Sequence, residues 1–139
     1  MTLIRIKSSG SSVNLFLMRY AVEHAPSLII DCANCANPHS LYPEFTMQEL
    51  AKVYVMEAEM LYKFRDTLRR IAYTRPPVKT IVITSVRHLF NYDDEIENKN
   101  LLEHCSVLIK YLSRKYRVIM AWDTQYGAKE LYQTLCCES

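Results

Sequence analysis

The sequence predicts an α/β domain of three layers, a mainly parallel sheet flanked by helices. Three observations carry that prediction. Short β-branched runs alternate with longer stretches of helical apolar spacing, and neighbouring parallel strands need a crossover of that length between them. The run "VKTIVITS", residues 78–85, is apolar almost throughout, as a strand covered on both faces has to be. The 139 residues include only two glycines, which leaves little room for the φ > 0 turns of a hairpin meander.

Taken in order, Leu3 to Lys7 alternates apolar and polar side chains and reads as the first strand. A turn, "SSGSS", leads into a mostly buried helix from Val13 to Glu23, which Ala25-Pro26 ends. "SLIID", 27–31, is a short buried strand, and "CANCANPHSLYPEF" is a loop by its Asn and Pro content. Thr46 and Glu49 then stand at the spacing of a capping box. A long helix is expected from Met47 to about Ala72, because Leu50, Val53, Tyr54, Met60, Leu61, Phe64, Leu68 and Ile71 keep helical spacing until "TRPP" stops it. The strand at 78–85 follows, then the acidic loop "NYDDEIEN", a helix from roughly Lys99 to Lys115, and a fourth strand "RVIMAW" at 117–122.

Half of the residues are hydrophobic, enough for one core and too few for two ordinary domains, so residues 1–139 are expected to form a single domain. The longest apolar runs are broken by Arg19, His24 or Pro26 and fall short of the roughly 18 residues of a membrane span. No leader pattern opens the chain, and a cytoplasmic protein without a membrane partner is expected. A formal charge of +2 does not by itself imply nucleic acid, so any such reading rests on where the cations cluster.

In a parallel sheet, ligands sit outside the carboxyl ends of the strands, so Ser8 to Ser12, Asp31 to Asn34, Thr84 to His88 and Trp122 to Thr124 should share one rim. The segments on that rim carry a resemblance. "GSSVNLFLMRYA" is similar to the Gly-Ser-Gly-Lys-Thr-Asn-Leu helix start of the RecA/RadA recombinase family. "LIIDCANCANPHSLY" looks like that family's strand ending in Asp-Thr-Glu with a following Phe-Arg-Pro-Glu, and "TIVITSVRHLF" resembles its hydrophobic strand ending in Asp-Ser. The likeness spans about residues 3 to 123 and implies a minimal RecA-like core.

The departures fall on the family's chemistry. Its Gly-Lys-Thr triplet corresponds to Ser11, Ser12 and Val13, which removes the phosphate-binding lysine and the hydroxyl that holds magnesium. Its catalytic glutamate falls on Ala33 and its magnesium-supporting aspartate on Thr84. Of the usual acids only Asp31 and Asp123 persist. The resemblance therefore implies a pseudo-ATPase with no catalytic residue and no cofactor. Ser8, Ser9, Gly10, Ser11 and Ser12 read as the remains of a phosphate loop that caps a buried helix, with a weak anion site at the helix start as the alternative.

Two basic clusters stand apart from that rim. Arg69, Arg70, Arg75 and Lys79 form one, and Lys110, Arg114, Lys115 and Arg117, with Tyr111 and Tyr116 interleaved, form the other. Each ends a helix and precedes a strand, so both should lie at the strands' amino ends. There they either complement helix carboxyl termini, at about 0.3–1 kcal/mol apiece, or together meet a phosphate backbone. The acidic loop with Asp93, Asp94, Glu95 and Glu97 lies where the recombinases begin a DNA-facing loop and would repel phosphates.

Two functions of different class are expected. The first is a non-catalytic, recombinase-paralog-like accessory factor in DNA recombination or repair. It would act through a protein partner such as a recombinase, with DNA on the basic rim and a homo- or hetero-oligomeric state. A chain that starts almost at its first strand is not expected to build filaments alone. The second is a small α/β enzyme or metal/thiol protein using Asp31, Cys32, Cys35 and His39, with Asp123 beside them. Cys-x-x-Cys is half a zinc site or a redox pair, although five cysteines without a second half-site favour idle reduced thiols and no metal.

Overall fold

The computed structural model of the protein describes residues 2–7, 11–86, 89 and 95–122. Among the described residues, five strands form one sheet: β1 (Thr2–Lys7), β2 (Ser27–Asp31), β3 (Val53–Glu57), β4 (Thr80–Ile83) and β5 (Arg117–Trp122). Their spatial order is β1-β5-β4-β2-β3 and every adjacent pair is parallel. The helices are α1 (Ser11–Glu23), α2 (Met47–Leu50), α3 (Leu61–Thr74) and α4 (Glu95–Ser113), with a 3-10 turn over Pro38–Leu41. The α/β class, the parallel sheet and the flanking helices are as the sequence predicts.

The chain moves one way across the sheet from β1 to β2 to β3, then back to β4 and β5. A constant crossover hand requires the connecting segments to change face when the direction reverses. They do. Leu17 and Ala21 of α1, with Leu41 and Leu50, pack on one face against Ile29, Val82 and Ile119. On the other face α3 and α4 cover Ile30, Ile81, Ile83, Val118 and Met120. Leu61, Phe64, Leu68 and Ile71 of α3 are all buried at helical spacing. The strands β2 and β4, central and covered on both sides, are buried at every residue.

One expectation is overturned. Residues 47–72 are not one helix but α2, β3 and the first part of α3. The capping box holds: the Thr46 hydroxyl accepts from the Glu49 N–H at 3.1 Å, and the Glu49 carboxylate accepts from the Thr46 N–H at 2.9 Å. The helix it starts lasts only four residues. "VYVME" then goes to the open edge of β2, where β-branched and aromatic side chains fit a pleated surface better than a helix. Elsewhere the boundaries move modestly: α1 begins at Ser11, β4 is confined to 80–83, and α4 runs 95–113. Among the described residues, no helix is long and apolar enough to cross a membrane.

Candidate functional site

The carboxyl ends of β2 and β4 lie side by side, joined by one buried knot of hydrogen bonds. Asp31, the last residue of β2, is only 4% exposed. The chain after it turns back through Asn34, at φ 53°, a left-handed conformation that asparagine tolerates better than most residues. That turn points successive N–H groups at the carboxylate. Oδ1 accepts from Ala33 at 3.2 Å and Oδ2 accepts from Ala36 at 2.9 Å, while the Cys35 N–H reaches both oxygens at 3.1–3.2 Å. Such a nest satisfies a buried anion without a cation.

Thr84 completes the knot from β4. Its hydroxyl accepts from the Cys32 N–H at 2.7 Å and lies 3.4 Å from Asp31 Oδ1. Where the sequence resemblance leads one to expect an aspartate, Thr84 has a hydroxyl that ties two strand ends together. Ala33, where the same resemblance leads one to expect a glutamate, has only a methyl group and gives its N–H to Asp31. Beside Thr84, the Ser85 N–H donates to Asn14 Oδ1 of α1 at 3.4 Å, which brings the start of α1 to the same rim. The Ser85 hydroxyl is buried and has no partner among the described residues.

A cavity of about 460 Å³ opens at this rim between Asp31–Asn34 and Glu57–Glu59. It lies where the connection from β2 goes to one face and that from β3 to the other, the kind of crevice in which open parallel sheets hold ligands. Its charge is wrong for a phosphate. Glu57 and Glu59 are exposed carboxylates on one wall, and the pairing of Glu59 with Lys63 at 3.6 Å offsets only part of that charge. These glutamates escape notice in the sequence because they fall inside the segment that reads as helix.

The thiols beside the cavity are not activated. Burial, reinforced by the Asp31 charge, holds the Cys32 thiol well above the ordinary cysteine range. Cys35 is pushed up to about 11, by burial first and then by Asp31, whose Oδ1 its Sγ approaches to 3.8 Å. A nucleophilic or metal-binding cysteine needs the reverse, a stabilised thiolate. His39 is exposed on the 3-10 turn. Among the described residues, no three His, Cys, Asp or Glu side chains lie close enough together to hold a metal ion.

Ser8, Ser9, Gly10, Asp123, Arg87, His88, Asp93 and Asp94 lie outside the described residues, as do Cys136 and Cys137. Ser11 and Ser12 form the first turn of α1 rather than preceding it.

The opposite rim is basic. The Lys79 N–H donates to Pro26 O at 2.8 Å and the Arg117 N–H to Lys79 O at 3.1 Å, so the starts of β4 and β5 are knit side by side. The Tyr116 hydroxyl donates to Pro76 O at 3.1 Å, tying the turn after α4 to the turn after α3. The two clusters that the sequence suggests thus meet. Arg70, Arg75, Lys79, Arg114, Lys115 and Arg117 are exposed, and among the described residues none has a carboxylate within ion-pair distance. Arg69 differs, since Asp66 one turn earlier lies 4.0 Å away. Lys110 is half-buried inside the last turns of α4.

Comparison with known proteins adds to the fold and not to the chemistry. No protein-family model matches the sequence, and no curated protein matches it. Among solved structures, it is similar to a DnaB-like replicative helicase whose structure describes its interactions with primase, at a TM-score of 0.51 and 9% identity. That similarity covers 87% of this chain and 38% of the helicase chain, so this chain spans well under half of its neighbour's length. The shared feature is the layered core with its parallel sheet, the RecA-like fold that the sequence resemblance implies.

Proposed function

We propose that this protein is a non-catalytic RecA-like core, a recombinase-paralog-like accessory factor that acts in DNA recombination or repair through a protein partner. The observation that carries the reading is the state of the carboxyl rim between β2 and β4. The carboxylate the resemblance retains there, Asp31, is enclosed by the N–H groups of Ala33, Cys35 and Ala36. The positions that would supply a general base and a metal carboxylate hold Ala33 and Thr84, and the Thr84 hydroxyl is committed to the Cys32 N–H. Phosphoryl transfer depends on charge placed around the phosphates and a positioned water. The nearest cavity instead presents glutamates. A helicase neighbour with primase as its partner supports a role beside other proteins, on fold-level analogy alone.

The test is direct. Titration calorimetry with ATP and magnesium, together with a phosphate-release assay, should give neither measurable binding nor turnover. Magnesium-dependent ATP binding at micromolar Kd, or turnover above a boiled control, would overturn the pseudo-ATPase reading. Affinity capture from the native organism tests the partner: recovery of a recombinase or another repair protein supports the reading, and recovery of partners unconnected with nucleic acid counts against it.

A further inference from the structure

We infer that the amino-end rim of the sheet binds the phosphate backbone of a single-stranded nucleic acid, with Tyr73 stacking on a base. The site lies on the opposite edge of the domain from the rim that the recombinase resemblance points to. It does not depend on whether the carboxyl rim binds nucleotide.

Four observations converge. First, Lys79, Lys115 and Arg117 line one concavity of about 600 Å³ together with His24, so three cations face a shared space rather than pointing apart. Second, the cations are available. Among the described residues Arg70, Arg75, Lys79, Arg114, Lys115 and Arg117 have no ion-pair partner, and Glu23 is the one acid that lines the concavity. Some surface cations elsewhere are paired, Arg19 with Glu44 at 3.0 Å, Lys63 with Glu59 at 3.6 Å and Arg65 with Asp66 at 2.9 Å; what sets this patch apart is that its unpaired cations are gathered on one rim.

Third, the patch is held rigid. The Tyr116 hydroxyl ties the two basic turns through Pro76 O, and backbone bonds run from Pro26 to Lys79 to Arg117 across the strand starts. Arg75 closes α3 in the left-handed region at φ 50°, where glycine would sit without strain. A charged residue therefore stands in a costly conformation at the junction of the two clusters. Fourth, aromatic rings accompany the cations. Tyr73, in the last turn of α3, is 88% exposed, and the Lys115 ammonium lies 5.5 Å from the Tyr111 ring centroid.

The mixture selects the ligand. A groove of unpaired cations follows a phosphate chain, and an exposed aromatic ring accepts an unstacked base of any identity. A duplex would leave Tyr73 without a role. A membrane surface would favour exposed aliphatic anchors among the cations, and these turns present none beyond the half-buried Val78.

Fluorescence anisotropy with a labelled mixed-sequence DNA oligonucleotide of about 20 nucleotides, titrated at several salt concentrations, tests this. Binding should weaken with salt, log K falling by about 0.7 per phosphate contact for each unit of log salt. Replacing Lys79, Lys115 and Arg117 together by Gln should lower affinity at least tenfold and flatten the salt slope. Tyr73→Ala should weaken binding about tenfold with the slope unchanged, because stacking releases no counterions. Arg75→Gly separates binding from folding, since it should raise the thermal midpoint while lowering affinity. Arg19→Gln and Lys63→Gln should leave binding unchanged. The proposal is overturned by no binding at low salt, by undiminished binding in the triple variant, or by duplex DNA or anionic vesicles binding as tightly with no effect of Tyr73→Ala.

Discussion

The two rims of the sheet treat charge in opposite ways. At the carboxyl ends of β2 and β4, Asp31 is 4% exposed and meets three backbone N–H donors. At the amino ends of β4 and β5, Lys79 and Arg117 are exposed and among the described residues meet no carboxylate. Burial accounts for the difference. An anion taken out of water must be compensated within the protein, whereas a hydrated surface cation can stand unpaired at little cost. A buried, satisfied acid is thus poor grounds for assigning catalysis, and a set of exposed, unsatisfied cations is better grounds for assigning binding.

The comparison breaks most sharply at Asp31. Asp31→Ala should strand the N–H groups of Ala33, Cys35 and Ala36 in a partly buried turn and cost about 3 kcal/mol or more in chemical denaturation. A loss below about 1 kcal/mol would show that the nest is not what holds the rim.

The next effect is kinetic. With its thiol pushed up to about 11 from an ordinary 9.0, Cys35 should be alkylated at pH 8 about a hundredfold more slowly than a thiol of ordinary pKa, despite its exposure. The sign follows from a folded value raised above the unfolded one. The neutral thiol is favoured in the fold, so its contribution to stability is complete below pH 9 and is lost as pH rises through about 11. A pH profile of iodoacetamide modification, read at Cys35 by mass spectrometry, checks both.

Thr84→Asp introduces the acid that the sequence resemblance would call for, but places a second carboxylate where Thr84 Oγ1 now lies 3.4 Å from Asp31 Oδ1. Like charges at that distance should cost about 2 kcal/mol at pH 7 and yield no ATPase activity. The introduced carboxyl would titrate above its unfolded value, so the deficit should shrink as pH falls toward the carboxylate range. A thermal-midpoint series against pH shows whether it does.

Smaller effects sharpen the contrast. Ser85→Ala removes a buried hydroxyl that has no partner among the described residues, and should stabilise the protein by about 1 kcal/mol in denaturant titration. On the amino rim, Lys79→Gln with Arg117→Gln should change stability by less than about 0.5 kcal/mol, because neither cation holds an ion pair among the described residues. A larger loss there would mean that the cations support the fold rather than await a partner.

Four of the five strands among the described residues are legible in the sequence because their β-branched runs are short and bounded by turns. The strand β3 is not. Val53, Tyr54 and Met60 also fit a helical repeat begun at Leu50, and only the open edge beside β2 decides between the two. The basic clusters can be read from the ends of their helices, but their union through Tyr116 and Pro76 spans 40 residues of chain. Arg69 belongs to its cluster by sequence and is drawn toward Asp66 by the helical turn.

By itself, the sequence determines the alternation of strand and helix and the parallel class of the sheet, because these rest on local periodicity and residue identity. The tertiary structure alone decides that β3 joins the sheet, that Asp31 is enclosed by N–H groups rather than free, and that two distant basic turns make one surface. Those outcomes depend on which groups lose water together, and solvent exclusion is a property of the packed chain rather than of any short stretch of it.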